Sequence, residues 1–167
     1  MEEIRNKVAE SQLININFKQ LLQEKQPQVL DIADWLYEKL IVREEEFKKC
    51  VEQHNWGQYR GKTLVVYCSE DVIIPMWAWM LIANRVTAAG GKLIYSSTRE
   101  IEEKKLLSIV DSLDVEEFRD KRILINGCQH PAVTPETYCL ITQKLQPVAR
   151  SLMYGEACSN IPIYKKK

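Results

Sequence analysis

The strongest constraint on the fold of this chain is a half-hidden internal repeat. Tyr59-Arg60-Gly61-Lys62-Thr63-Leu64-Val65-Val66-Tyr67-Cys68 is echoed by Phe118-Arg119-Asp120-Lys121-Arg122-Ile123-Leu124-Ile125-Asn126-Gly127-Cys128. Each copy has an aromatic, an arginine, a turn residue, a lysine and a short apolar run that ends at cysteine. A proline follows each cysteine at the same spacing, Cys68 to Pro75 and Cys128 to Pro135. A third cysteine, Cys158, follows the apolar run Ser151-Leu152-Met153-Tyr154-Gly155. Three thiols at three strand ends point to a shared site.

From Lys62 onward, strand patterns alternate with helix patterns. Thr63–Tyr67 is a β-branched apolar run and reads as a buried strand. Pro75 suits the first turn of a helix, which runs to about Ala89 and is stopped by Gly90-Gly91. Lys92–Ser96 is the next strand, and Ser97 with Glu100 makes a capping-box pattern for a helix over 98–111. Asp114–Phe118 reads as one helical turn. Arg122–Asn126 is a third strand, Thr134-Pro135 opens another helix to about Leu145, and Leu152–Tyr154 and Ile161–Tyr164 complete the strands. Such alternation predicts an α/β fold, a Rossmann-like three-layer sandwich around a mainly parallel sheet. The predicted order of the four strands from Thr63 to Tyr154 is second, first, third, fourth. The switch point then lies between the strands ending at Cys68 and Cys128, and all three thiols emerge on one rim.

Residues 1–60 read as an α+β extension packed on a core domain of residues 61–167. Leu13–Asn17 alternates like a short strand, Val29–Asp34 is a second strand, and Arg43–Gln53 is an amphipathic helix. Trp35, Leu36 and Leu40 open either a helix or an extended hairpin. Met76-Trp77-Ala78-Trp79-Met80-Leu81-Ile82 carries large apolar groups all round. Its outer face is either covered by the N-terminal segment or used in a homodimer.

The 23 acidic and 23 basic residues balance, so no strong field draws in nucleic acid or a membrane surface. The Lys165-Lys166-Lys167 tail is too short for a polybasic patch. Met1-Glu2-Glu3-Ile4-Arg5 lacks the apolar core of a signal peptide, and no stretch has the length of a membrane span. A cytoplasmic location is expected, where five cysteines serve as free thiols or ligands more often than as disulfides. No G-x-G-x-x-G or Walker pattern occurs, so no nucleotide cofactor is expected.

Two chemistries suit the thiols. Cys68, Cys128 and Cys158 could supply three thiolates to zinc or iron, with His130, Glu70, Asp71, water or a substrate as the fourth ligand. Alternatively, Cys68 or Cys128, just ahead of a helix N-terminus, acts as a low-pKa nucleophile, redox thiol or persulfide carrier, with His130 as base. A third class is a non-catalytic interaction module whose cysteines only pack. Cys50, beside Phe47 and Val51, and Cys139, beside Leu140, are expected in the core.

Several segments together resemble a known bacterial family. They are Arg43-Glu44-Glu45-Glu46-Phe47, His54-Asn55-Trp56-Gly57-Gln58-Tyr59, Cys68-Ser69-Glu70-Asp71-Val72-Ile73-Ile74-Pro75-Met76-Trp77-Ala78, Glu117-Phe118-Arg119-Asp120 and Met153-Tyr154-Gly155-Glu156-Ala157-Cys158-Ser159. The family is labelled domain of unknown function 2480, and the resemblance covers nearly the whole chain. The label implies no activity. The resemblance implies a pattern that includes Cys68, Cys128 and Cys158 but no fixed histidine at His130, which weakens His130 as fourth ligand or base. For partners it implies iron–sulfur assembly proteins, through the neighbourhood of such genes in some bacteria.

Overall fold

The computed structural model describes residues 13–167. The polar N-terminus, Met1–Arg5, lies outside them. The chain alternates strands and helices as expected of an α/β protein. In order they are β1 (Leu13–Ile16), α1 (Phe18–Glu24), β2 (Gln28–Asp31), α2 (Glu44–Gln53), β3 (Thr63–Tyr67), α3 (Met76–Ala88), β4 (Lys92–Tyr95), α4 (Ile101–Asp111), β5 (Arg122–Ile125), α5 (Pro135–Leu145), β6 (Ser151–Glu156) and β7 (Ser159–Lys165). Short 3₁₀ turns cover Ala33–Trp35, Trp56–Tyr59 and Val115–Phe118.

Local chemistry explains most element ends. Asn17 caps α1 with its side-chain oxygen, which accepts N–H bonds from Lys19 and Gln20 at 3.0 and 3.2 Å. Glu44, Glu45 and Glu46 fill the first turn of α2, where the helix dipole favours negative charge. Thr134 and Thr137 cap α5 reciprocally, with Pro135 in its first turn. The Ser97 hydroxyl does reach Glu100 at 2.8 Å, but α4 begins only at Ile101 and residues 98–100 form a turn. The Trp35–Leu40 stretch forms neither a helix nor an extended hairpin, since Trp35 ends a 3₁₀ turn and a tight turn follows. Tyr37 bridges Ile41 across Glu38 and Lys39, both left-handed.

Strand pairing departs from the expected single sheet. Two sheets form, one ordered β2-β3-β4 and the other β1-β5-β6-β7. All pairs are parallel except the β6–β7 hairpin. The expected contact between β3 and β5 is replaced because the N-terminal strands take up those edges. β2 pairs along β3, and β1 pairs along β5. The chain groups into two compact units, Gln26–Ser112 and the pair of segments ending at Lys25 and spanning Leu113–Lys167.

In the three-stranded unit, Leu64 and Val66 of β3 share one buried cluster with Phe47 and Val51 of α2 and Ala78, Ile82 and Val86 of α3. Thr63 and Val65 alternate to the opposite face. There the Thr63 hydroxyl donates to Asp111 at the end of α4 at 2.6 Å. In the four-stranded unit, Ile123, Leu124 and Ile125 of β5 are buried, as are Ile16, Phe18, Ile141, Leu145 and Leu152. Burying such a side chain stabilises the fold by about 1.5–3 kcal/mol.

The repeat is structural as well as textual. Tyr59 and Phe118 are both buried and both end a 3₁₀ turn. Two residues later the backbone turns left-handed in each copy, at Gly61 (φ 69°) and Asp120 (φ 54°). Thr63 pairs with Lys92 as Arg122 pairs with Ser151. The helix that follows buries the same stripe, Ala78, Ile82 and Val86 in α3 and Thr137, Ile141 and Leu145 in α5. Throughout strands and helices the offset is constant, Tyr59 to Phe118 and Met76 to Pro135. At that offset Cys68 falls on Gly127, not Cys128, and Pro75 falls on Thr134, not Pro135. The matched cysteines and prolines are therefore displaced by one position from structural equivalence.

Candidate functional site: a cleft at Cys68 and the other cysteines

β3 and β4 both end at a tyrosine, and their loops open beyond the carboxyl edge of the parallel sheet. Open α/β sheets form their sites in this place. Here a cleft of about 550 Å³ lies between the loop Cys68–Ile74 and the loop Ser96–Arg99, with Met76, Trp79 and Tyr95 also lining it. Trp79, in the first turns of α3, meets Tyr95 edge-on, ring centroids 5.1 Å apart. Ser96 is buried and its hydroxyl donates to the Ser97 carbonyl at 2.8 Å. Arg99 has no ion-pair partner among the described residues.

Asp31, the last residue of β2, anchors this rim. Its carboxylate accepts the N–H groups of Ala33 and Ser69, both at 3.0 Å. Burial alone would push the Asp31 carboxyl up. The hydrogen bonds from the Ser69 side chain and these two amides outweigh it, so the group stays ionised below its ordinary value.

Cys68 is half-buried, and burial pushes its thiol above the ordinary value. The Glu70 N–H on the sulfur pulls the other way, but the negative charges of Asp31 and Glu70 add to the rise. A lowered thiol pKa was expected here from a helix N-terminus. α3 begins only at Met76, so the sulfur lies outside its first turn and faces carboxylates instead.

Cys128 lies in the loop between β5 and α5. Its N–H donates to the Tyr138 hydroxyl at 3.2 Å, and its sulfur accepts the His130 N–H at 3.5 Å. His130 Nδ1 accepts the Ala132 N–H at 3.2 Å. Through that bond the His130 ring closes the turn with Ala132. Cys158 is exposed in the two-residue turn between β6 and β7, with Glu156 at the end of β6.

Cys68 belongs to the three-stranded unit, whereas Cys128, His130 and Cys158 belong to the four-stranded one. Among the described residues no group of three or more His, Cys, Asp and Glu side chains is arranged to hold a metal ion. Cys50 is half-buried beside the buried Phe47 and Val51. Cys139, expected in the core, is exposed, because the buried stripe of α5 runs through Thr137, Ile141 and Leu145 and misses it. His54 bonds the Tyr59 hydroxyl at 2.9 Å, and burial lowers its pKa. Its ring packs edge-on against those of Trp35 and Trp56. Met76 and Met80 on α3, and Ile73 ahead of it, are strongly exposed, while Trp77 meets Phe47 of α2 edge-on.

Sequence reasoning missed Asp31, the Ser96–Arg99 loop and the Trp79–Tyr95 pair. Asp31 had a signal, an acid that ends a predicted strand. The other two had none, since their meeting depends on β3–β4 pairing.

The family model described as "Protein of unknown function (DUF2480)" matches residues 2–166, and the chain belongs to that family. No curated protein and no solved structure matches it. Among the described residues no helix is long and apolar enough to cross a membrane.

Proposed function

We propose that this chain is a ligand-binding α/β protein whose site is the cleft between the loops Cys68–Ile74 and Ser96–Arg99. The observation that carries this reading is the convergence of both loops over Trp79 and Tyr95 at the carboxyl edge of β3 and β4. Serine and threonine groups and an unpaired Arg99 line one wall, and Glu70 and Asp71 line the other. Together they favour a small, flat, polar molecule carrying both charges, its ring against the aromatic pair. A Rossmann-like description of this unit rests on its parallel strands with helices packed on both faces. Saturation-transfer NMR with amino acids, nucleosides and hydroxy acids tests the reading. At least one class is expected to bind the native chain and to be lost from Ser97→Trp, which fills the cleft. Absence of binding by every class would sink it.

A second reading keeps the sulfurs as zinc or iron ligands, with the protein an accessory to iron–sulfur assembly. It is favoured by one shared feature. Cys68 and Cys128 each accept an N–H from the residue two positions on, Glu70 and His130, an orientation that a metal-bound sulfur can keep. Anaerobic purification without chelator, followed by metal analysis, tests it. About one metal per chain, lost on Cys68→Ser, Cys128→Ser or Cys158→Ser, is the expected result for a tetrahedral thiolate site. No metal even after reconstitution would remove this reading.

A further inference from the structure

The four-stranded unit holds a pocket at the place where the three-stranded unit holds its polar cleft. Tyr138 stands fourth in α5 as Trp79 stands fourth in α3. Tyr154 pairs with Ile125 as Tyr95 pairs with Val66. The two rings again meet edge-on, centroids 5.6 Å apart. The pocket they line measures about 480 Å³.

Its chemistry is the reverse of the cleft's. Ile125, Val133, Pro135 and Ile163 complete its wall, and among the described residues no Asp, Glu, Lys or Arg lines it. Ile163 comes from β7, a strand without counterpart in the smaller sheet. The polar atoms that do reach the wall are already engaged. The Tyr138 hydroxyl accepts the Cys128 N–H at 3.2 Å and shares a hydrogen bond with Tyr154. The Thr142 hydroxyl donates to the Tyr138 carbonyl at 2.7 Å, and Thr134 is bound in the capping box of α5. What the pocket offers a ligand is therefore ring surface and aliphatic side chains, with no polar group seeking a partner. A charged guest would lose its hydration there without compensation.

We propose that this pocket is a second binding site, specific for a small uncharged ring compound of the indole or naphthalene class. It is independent of the polar cleft, which lies in the other unit. Cys139, exposed on the pocket wall, supplies a reporter that the site does not itself require.

The test uses indole as the probe and has two arms. In a full-length chain with Cys50, Cys68, Cys128 and Cys158 changed to Ser, indole should slow the reaction of Cys139 with a thiol reagent severalfold. With the native chain, saturation transfer to indole should be seen and should vanish in Thr142→Trp, whose side chain fills the pocket. An unchanged Cys139 rate overturns the proposal, whether or not the Trp variant folds. So does transfer of equal strength in a folded Thr142→Trp chain. Binding of indole by Ser97→Trp, with its polar cleft filled, should be unaltered, and loss there would equally overturn the independence of the two sites.

Discussion

The two units repeat one arrangement and furnish it differently. In each, a 3₁₀ turn ends in a buried aromatic, the chain turns left-handed, a central strand follows, and a helix buries the same three positions over it. The rims diverge. Cys68 stands in the three-stranded unit where Gly127 stands in the other. A Cβ at Gly127 would lie 3.1 Å from the Tyr154 hydroxyl, so any side chain there would require that ring to give by a few tenths of an ångström. The comparison teaches that core positions carry the fold while the loops after the central strand choose the ligand chemistry.

The largest effects should fall on the shared helix stripe and should match between units. Ile82→Ala and Ile141→Ala each remove a fully buried side chain and are expected to cost roughly 2–5 kcal/mol in denaturant unfolding. A much smaller cost at one of them would break the equivalence of α3 and α5.

Next comes Gly155, whose counterpart in the other unit is Ser96. Gly155 has φ 123°, and a Cβ there would stand 2.6 Å from the Ser159 carbonyl on β7. Strain of this kind costs roughly 1–3 kcal/mol, before the clash is added. Gly155→Ala should therefore lower the denaturation midpoint clearly. Ser96→Gly, with no β7 opposite, should act mainly by freeing the backbone and losing a hydroxyl contact. Equal effects would refute the role of the hairpin.

Asp31 and Asn17 occupy matched places at the ends of β2 and β1, and only one of them titrates. The Asp31 pKa is lowered in the folded state from its ordinary 3.8. Its contribution is thus complete above the unfolded value and is lost as pH falls through the folded value. The stability difference between native chain and Asp31→Asn should be largest near neutrality and shrink below about pH 4. A difference that persists unchanged into acid would show that the amide bonds of Ala33 and Ser69 do not depend on charge. The same variant should speed alkylation of Cys68 somewhat, since one of the negative charges holding its thiol up is gone. An unaltered rate would leave burial and the Glu70 charge as the causes.

The smallest effect belongs to the left-handed turns. Asp120→Gly frees the backbone conformation but drops the exposed ion pair with Lys166 at 2.9 Å. The net change in the denaturation midpoint should be small, since exposed pairs contribute little. Gly61→Val, in the other unit, forces a β-branched residue to φ 69° and should cost more.

Much of the local structure was legible in the residues. The β-branched run Thr63–Tyr67 and the Thr134-Pro135 start of α5 lie where their chemistry predicts, while Pro75, expected in the first turn of α3, stands one residue ahead of it. The repeat was legible too, but its register at the cysteines was not. Letter identity paired Cys68 with Cys128, whereas the backbone pairs Cys68 with Gly127, because helices and strands keep a constant offset and the cysteines do not. The exposure of Cys139 could have been read from the α5 stripe, since Thr137, Ile141 and Leu145 already define its buried face.

What the sequence by itself determined is the set of elements, their order and the faces they bury, because periodicity, caps and turns act within a few residues. Tertiary structure alone decided which strands meet. β1 and β2 pair with β5 and β3, splitting one expected sheet into two and assigning Cys68 and Cys128 to different units. Short parallel strands of similar apolar composition offer one another nearly equivalent edges. The choice among them depends on long-range packing and loop closure, which no local pattern records.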